Sequence, residues 1–398
     1  MSRDTRQGFP RTLIVTGLCA LVSSPAWAVE DASVQGFGRY KPLYPGLYAT
    51  AHLAHDPRDA VFDADGDETG TSLPNLAGAS EFPQTRGALA FQWYFPMFEA
   101  EQLPFLSSRL HTARLTFRAA DVETRGTLET FIDANGLENN ASGIGDLTFE
   151  FGSFLIGSDN WRERKTTPFA VLALVGVTLP SGDYDADAPV NTGTNQYAFH
   201  GTVGLHWQPA DAWLLDAGLT WKTFDNNEEP AFGGNEPTQL GDLLITDLSL
   251  TRRLATGLYL GGFVQYQDGD TNEYGDVRFA VDTPAARPGR EGTEPIPGEY
   301  RDDGTRLLSA GLSLNWFVAQ NWLAGLHVVA PLDGESGEFT LPFQDRPAGC
   351  GVVRTGLCAP APSGQSVTVD GLGGARSYAS NIVLLTIGYS FGRGDPWY

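Results

Sequence analysis

The sequence lacks a long apolar segment after its first 28 residues. The longest uninterrupted apolar run there covers residues 169–177, whereas a membrane-spanning helix needs roughly 20 apolar residues. Basic residues are also scarce, since 26 Lys and Arg stand against 48 Asp and Glu, for a formal net charge of -22. Such a chain repels nucleic acid and lacks a polybasic attachment to anionic lipid. Neither helical membrane spans nor a nucleic-acid partner are therefore expected.

The first residues have the composition of an export signal. Arg3, Arg6 and Arg11 precede an apolar run over residues 12–22, and Ala26-Trp27-Ala28 has the small-x-small pattern of a cleavage site. We interpret residues 1–28 as a secretory signal peptide that is removed after Ala28. Export without a helical span leaves the periplasm, the medium or the outer membrane as destinations.

Alternating hydrophobicity decides among these destinations. In residues 213–222 large apolar side chains occupy one parity, and polar or small ones occupy the other, which is the period of a strand with one apolar and one polar face. Trp213 and Trp221 share the apolar face and are separated by roughly 26 Å along a strand. This spacing suits the two aromatic girdles of an outer-membrane barrel. The apolar face is therefore expected to contact lipid.

The same alternation predicts an all-β, transmembrane antiparallel barrel. Nine strands are expected near residues 145–156, 167–179, 196–208, 213–224, 241–254, 257–267, 306–317, 322–330 and 383–391, and four more candidates cover 43–53, 86–95, 109–120 and 125–132. Short connections alternate with long ones, as periplasmic turns alternate with external loops, and both chain ends in the periplasm require an even strand number. We therefore expect 12 strands, with residues 43–53 as the miscounted candidate and with 10 or 14 strands left open.

The barrel is expected to form one domain, residues 85–391, after an N-terminal segment, residues 29–84, that is periplasmic or partly strand. Residues 392–398 follow as a C-terminal extension. The last strand alternates up to the aromatic Phe391, which resembles the terminal strand that the barrel-assembly machinery recognises. That machinery, outer-membrane lipid and lipopolysaccharide are the expected partners, and the outer membrane of a Gram-negative bacterium is the expected location.

Three short motifs resemble a known family. They are Gly143-Ile144-Gly145-Asp146-Leu147, the segment at residues 177–184 (VTLPSGDY), and residues 191–195 before an aromatic strand. They resemble the outer-membrane β-barrel "transporter" family named for the MetA-pathway of phenol degradation. The resemblance covers residues 143–266 and implies a barrel associated with the catabolism of aromatic compounds.

The polar parity marks the side chains that would line a channel. A mixture of acidic, basic and neutral groups indicates a hydrated lumen rather than an ion filter of one sign, although the same groups could be a satisfied polar interior that fills a narrow barrel. Leu172 and Leu174 on this parity favour partial filling or an apolar stripe. The candidates are Asp146, Glu150, His200, His206, Asp216, Lys222, Asp247, Arg253, Tyr259, Gln265, Asn315 and His327.

Two acidic segments and two cysteines suggest further sites. Asp63, Asp65 and Asp67, and likewise Asp183, Asp185 and Asp187, alternate as calcium ligands do, but the first segment departs from an EF-hand at its sixth and twelfth positions. We expect solvated loops, with cations bridging them to lipopolysaccharide as the sharper hypothesis. Cys350 and Cys358 would share one external loop in an oxidising compartment, which predicts a disulfide.

The function that these features favour is a passive outer-membrane channel for small solutes, apolar or aromatic ones among them, without a cofactor. The competing hypothesis is a structural or adhesive barrel that acts through its long acidic loops. An enzyme is not expected: Ser309 or Ser313 with His327 could supply two members of a hydrolytic triad, but no motif fixes that arrangement. An outer-membrane hydrolase stays open as an alternative.

Overall fold

The computed structural model describes residues 14–15, 40–62, 65–70, 80–96, 110–126, 129, 138–157, 168–186, 188, 190–230, 237–274, 277–280, 295–296, 300–301, 304–319, 321–336, 338–342, 366–370 and 378–391. The predicted extension at residues 392–398 lies outside this part of the chain. The predicted signal peptide does so too, apart from residues 14–15.

Twelve long strands build the main sheet. In chain order they are β1 (Gly46–Asp56), β2 (Gln84–Pro96), β3 (Leu110–Glu123), β4 (Leu147–Ile156), β5 (Phe169–Leu179), β6 (Ala198–Ala210), β7 (Trp213–Phe224), β8 (Leu243–Ala255), β9 (Leu258–Gly269), β10 (Thr305–Ala319), β11 (Trp322–Glu335) and β12 (Ile382–Ser390).

The sheet closes into a barrel. Each strand pairs antiparallel with its successor in the chain, and β12 also pairs with β1, where Tyr48 lies opposite Ser390 and His55 opposite Val383. Closure pairs the edges of the sheet, which is what a lipid environment requires, because hydrocarbon offers no partner to a free backbone group. The prediction of an antiparallel barrel of 12 strands is confirmed.

One strand assignment from the sequence was wrong. Gly46–Asp56 forms part of the barrel wall, although residues 43–53 were the candidate to be discarded and were assigned to the segment before the barrel. The candidate at residues 125–132 contributes no strand to the ring of twelve within its described residues, of which Arg125–Gly126 pairs with Ser80–Glu81 outside the barrel. The chain turns away at Gly126, whose φ of 78° is rarely adopted by L side chains.

Both rims of the barrel follow the predicted asymmetry. Two-residue turns at residues 211–212 and 256–257 join β6 to β7 and β8 to β9, and β1 begins at the same rim. The opposite rim carries the longest connections, although residues 97–109 and 157–168 also join strands at the rim with the turns. Short connections are periplasmic in outer-membrane barrels, so the rim with the turns is the periplasmic one.

The two faces of the wall differ as the alternation predicts. On β7, Trp213, Leu219 and Trp221 are exposed on the outside, whereas Asp216 and Thr220 are buried on the inside. Exposed tryptophans gather near the periplasmic rim, and Trp221, Tyr197 and Tyr266 lie toward the external rim. The periplasmic group comprises Trp93, Trp207, Trp213, Trp316 and Trp322. These belts are the aromatic girdles of a barrel in the outer membrane.

Shorter strands lie outside the ring of twelve. Asn140–Ile144 extends the pairing of β3 on the external side, and the others form small sheets of two or three strands. They are Ile14–Val15, Ala60–Phe62, Glu68–Gly70, Ser80–Glu81, Arg125–Gly126, Thr238–Gln239, Glu273–Tyr274, Val277–Ala280, Pro295–Ile296, Tyr300–Arg301, Glu338–Pro342 and Ser366–Asp370. In the described part of the chain, no helix has the length and apolar character to cross a membrane.

Candidate functional site

The barrel interior holds the polar side chains that the alternation placed there. Eleven of the twelve candidates are buried or half-buried on the inner face: Asp146, Glu150, His200, His206, Asp216, Lys222, Asp247, Tyr259, Gln265, Asn315 and His327. Arg253 is exposed, because it lies close to the end of β8 at the periplasmic rim. The polar groups thus pack closely against one another rather than facing a wide aqueous pore.

A charged cluster crosses four neighbouring strands of this interior. Glu150 on β4 lies 3.5 Å from Nη1 of Arg114 on β3 and 3.2 Å from Nε2 of His200 on β6. The His200 ring reaches Glu150 across β5 at Gly176, where a Cβ would collide with the imidazole. A glycine at this position therefore permits the ion-pair geometry. The sequence analysis found Glu150 and His200 but missed Arg114, whose strand lies in the poorly patterned N-terminal third.

His206 and Asp216 form a second, fully buried pair. Nδ1 of His206 lies 2.8 Å from Oδ1 of Asp216. Ser249 lies opposite Asp216 on β8, and its hydroxyl has no hydrogen-bond partner among the described residues. In a catalytic triad the aspartate bonds to Nδ1 of the histidine, so the hydroxyl of the nucleophile must lie next to Nε2 of His206. These three residues therefore do not form a catalytic triad in this structure.

The segment before β1 enters the barrel, which the sequence analysis did not anticipate. Tyr40 is 2% exposed, and its hydroxyl donates a hydrogen bond of 2.9 Å to Oδ2 of Asp247. The ring lies against Gly204 and Gly218, where a Cβ on either residue would overlap Tyr40. Both glycines lie near the middle of their strands, β6 and β7. Tyr40 therefore occupies the lumen at about half its height.

Lys41 follows Tyr40 into this space. Burial lowers the pKa of its ammonium group, Asp216 opposes that shift, and Arg253 adds to it by like-charge repulsion. Leu43 continues the segment and packs against the apolar cluster near the periplasmic rim. Residues 40–43 thus fill the lumen from its middle toward the periplasmic rim.

Three apolar clusters interrupt the polar interior. The first lies toward the periplasmic rim and includes Leu172, with Leu174 packed against it, as the sequence predicted for these two leucines. Its buried members are Tyr40, Tyr48, Tyr94, Leu110, Phe154, Ala170, Leu172, Leu214, Tyr259, Phe317 and Leu323. The second comprises Ala54, Phe263, Val329, Ile382 and Leu384. The third lies at the external rim and comprises Ala198, Phe224, Leu240, Leu243 and Ile245. Apolar surface therefore occurs at several heights inside the barrel.

The three sequence motifs meet in an external clasp, which we define as residues 143–147, 181–184 and 191–195. Oδ1 of Asp146 accepts a hydrogen bond from the amide of Gly182, and Oδ2 accepts two from Thr194, one from its amide and one from its hydroxyl, at 2.6 to 2.9 Å. Asp183 accepts a hydrogen bond from the Ile144 amide. Both oxygens of Asp146 are thus engaged by the β5–β6 loop. Asp146, which was predicted to line a channel, therefore connects the β3–β4 loop to the β5–β6 loop.

The acidic metal candidates do not converge. Asp65, Asp67, Asp183 and Asp185 are exposed, while Asp63 and Asp187 lie outside the described residues. No group of three or more His, Cys, Asp or Glu side chains in the described part of the chain could hold a metal ion. Cys350 and Cys358 also lie outside that part, and their disulfide stays a prediction.

Comparison with protein families gives the family of the chain. The model of a family described as "Putative MetA-pathway of phenol degradation" matches residues 77–289, more than half of the sequence. The chain belongs to this family. The match extends the resemblance in both directions beyond residues 143–266, and it includes β2 and β3. No curated protein matches the chain.

Among solved structures, the barrel is similar to the COG4313 outer membrane channel from Pseudomonas putida F1. The TM-score is 0.58 at 13% identity, with 89% of this chain and 99% of that chain covered. A Pseudomonas aeruginosa FadL homologue matches with a TM-score of 0.38 and 9% identity, covering 97% and 100% of the two chains. The Ralstonia pickettii toluene transporter TbuX matches with a TM-score of 0.35 and 10% identity, covering 88% and 90%. The first of these likenesses establishes the fold alone.

Proposed function

We propose that this protein is a passive channel of the outer membrane for small, largely apolar solutes, aromatic compounds among them. The observation that carries the proposal is the series of three apolar clusters on the inner face. Outer-membrane barrels usually have polar interiors, because inner side chains do not contact lipid. Apolar side chains on the inner face of the barrel give an apolar solute favourable contacts as it passes through.

In this proposal, the segment at residues 40–43 holds the channel closed. Tyr40 occupies the lumen at half height, and most inner polar groups are buried. Opening requires residues 40–43 to leave the lumen, which breaks the bond from Tyr40 to Asp247 and exposes Leu43. A hydrogen bond to a charged group contributes about 1.5–3 kcal/mol. The loss of packing of Tyr40 and Leu43 adds to this cost, so the closed state is favoured.

Membership of a family described as a putative MetA-pathway of phenol degradation supports aromatic compounds as the solute class. The competing hypothesis of an adhesive barrel draws support from the external clasp, because ordered external loops could present a binding surface. An adhesive barrel would give solutes no route through the wall.

Uptake by intact cells tests the proposal. Gram-negative cells that express the protein should take up radiolabelled toluene faster than cells with the empty vector, and uptake should require no metabolic energy. Uptake of a hydrophilic sugar is the matched control, because a damaged envelope would accelerate both. Unchanged toluene uptake, with the protein shown to be in the outer membrane, would contradict the channel and leave the adhesive barrel.

A further inference from the structure

Four consecutive strands place a compact polar cluster around one glycine of the inner wall. Gly325 on β11 lies opposite Asn315 on β10 and opposite Thr386 on β12. Thr386 in turn lies opposite His52 on β1. His327 follows Gly325 by two residues and therefore shares its face of the strand. We call His52, Asn315, His327 and Thr386 the Gly325 cluster.

The side chains of this cluster converge. A Cβ on Gly325 would lie 2.9 Å from Oδ1 of Asn315 and 2.9 Å from Nε2 of His327, so both atoms lie close to the same glycine. The same position lies 3.3 Å from Cβ of Thr386. Nδ1 of His52 is 3.0 Å from the Thr386 hydroxyl, which fixes the orientation of that ring. The absence of a Cβ at Gly325 allows the groups to approach one another.

Each of three side chains in the cluster has one polar atom without a partner. Among the described residues, no hydrogen-bond partner is found for Nε2 of His52, Nδ2 of Asn315 or Nδ1 of His327. All three side chains are at least nine-tenths buried. Buried polar atoms in folded proteins are almost always hydrogen-bonded, because an unsatisfied one loses its hydration without compensation. Three such atoms in one cluster point to a ligand.

The side chains around the Gly325 cluster indicate the chemical character of the rest of that ligand. Leu384 lies directly opposite His327, and Ala54 lies opposite Leu384, so the second apolar cluster adjoins the polar groups. Phe263 adds an aromatic ring to the same apolar surface. A molecule at this place would contact apolar side chains with its body and polar groups with one end.

We propose that the Gly325 cluster binds the hydroxyl group of a mainly apolar solute, an aromatic alcohol such as phenol being the matching class. A hydroxyl donates one hydrogen bond and accepts others. It can donate to an imidazole nitrogen of His52 or His327 and accept from the Asn315 amide. This inference rests on the proposed channel function and adds a preference within it. The cluster gives hydroxylated solutes an advantage over hydrocarbons of the same size.

The test compares phenol with toluene on the purified, folded protein. Wild type labelled with 15N-histidine should show shifts of the His52 or His327 ring nitrogens on addition of phenol, and toluene should leave these resonances in place. The substitutions His52→Gln and His327→Gln assign the signals. In binding titrations, Asn315→Leu should weaken phenol binding roughly 2- to 10-fold, as expected for the loss of one hydrogen bond, with toluene binding unchanged.

Thr220→Val provides the matched control on the other side of the barrel. It also removes a buried inner hydroxyl, one that is paired with Thr202 at 2.8 Å, and it should leave the preference for phenol intact. Equal ring-nitrogen shifts with both solutes, or equal weakening of both by Asn315→Leu, would overturn the inference. A requirement for a bound divalent metal, detected as loss of phenol binding in EDTA, would overturn it as well.

The failure of this inference and that of the channel are distinguishable. If toluene still enters cells through the protein but phenol has no advantage, the hydroxyl site is refuted and the channel stands. If neither solute binds or enters, the proposed function itself is refuted.

Discussion

Tyr40 and Asp247 are 207 residues apart in the chain, yet the hydroxyl of the first donates a hydrogen bond of 2.9 Å to the carboxylate of the second. This contact joins the segment before β1 to the wall of the barrel at β8. The segment is therefore held inside the lumen by a specific contact in addition to general packing. In the proposed channel, this bond would relate the position of the N-terminal segment to the open or closed state.

The contact of the Tyr40 ring with Gly204 gives the first prediction. In Gly204→Ala the new methyl group overlaps the Tyr40 ring, so the segment should be displaced. The neighbouring Lys41 should then react faster with an amine-specific reagent, as measured by mass spectrometry. Gly201→Ala on the same strand is the control, because no atom lies within 4 Å of its Cβ position, and it should react like wild type. Equal labelling of Lys41 in all three proteins would contradict the packing of Tyr40 against Gly204.

The external clasp gives a second prediction. Asp146→Ala removes the acceptor of three hydrogen bonds from Gly182 and Thr194, and should destabilise the local structure by roughly 3 kcal/mol or more. Hydrogen exchange of the Gly182 and Thr194 amides should accelerate, while amides in β9 and β10 stay protected. The exposed Glu228 serves as the control, since Glu228→Ala should change neither. Unchanged exchange in Asp146→Ala would show that the loops hold their shape without it.

The lipid face gives a third prediction. Ala217 lies on the outer face of β7, midway between Trp213 and Trp221, so Ala217→Arg places a charge in the hydrocarbon region. We expect a loss of about 2–4 kcal/mol in folding free energy into bilayers. Ala217→Leu should be tolerated, because a larger apolar side chain suits lipid. If both substitutions were equally harmful, position 217 would have to face protein rather than lipid.

The barrel wall could be predicted from the sequence because its signal is local. Alternation along β6, β7 and β12 indicates which face of each strand contacts lipid. That face can be identified from the residues of the strand itself, without its contacts to distant parts of the chain. The N-terminal strand β1 was misjudged because its outward side chains include Ala49, Ala51 and His55, which weaken the apolar parity. Within residues 125–132, Arg125–Gly126 pairs outside the barrel, and Gly126 has a positive φ of 78°.

The contents of the lumen could not be predicted in the same way. Tyr40 finds its place through Gly204, Gly218 and Asp247, which lie far away in the sequence, and alternation carries no information about such a contact. Asp146 had the correct parity for a lining residue, but its role depends on donors in another loop. The motif containing Asp146 did indicate the family, and its residues contact those of the other two motifs in the clasp.

The two cysteines give a fourth prediction, which rests on the sequence alone. Cys350 and Cys358 should form a disulfide in protein exported to the outer membrane, and an unreduced digest should show the two peptides joined in a mass spectrum. A ring this short contributes roughly 2–3 kcal/mol to local order and little to the barrel. Cys350→Ser should therefore leave the barrel folded. Two free thiols in normally exported protein would refute the pairing.

The most direct test of the account is the single-channel conductance of the refolded protein in planar bilayers. Wild type should be closed most of the time, with brief openings. Tyr40→Phe keeps the ring but loses the bond to Asp247, and should raise the open fraction roughly 10-fold or more. Tyr40→Ala should conduct almost continuously, because both the ring and the bond are lost. Three electrically silent proteins, or three with the same open fraction, would contradict a channel closed by Tyr40.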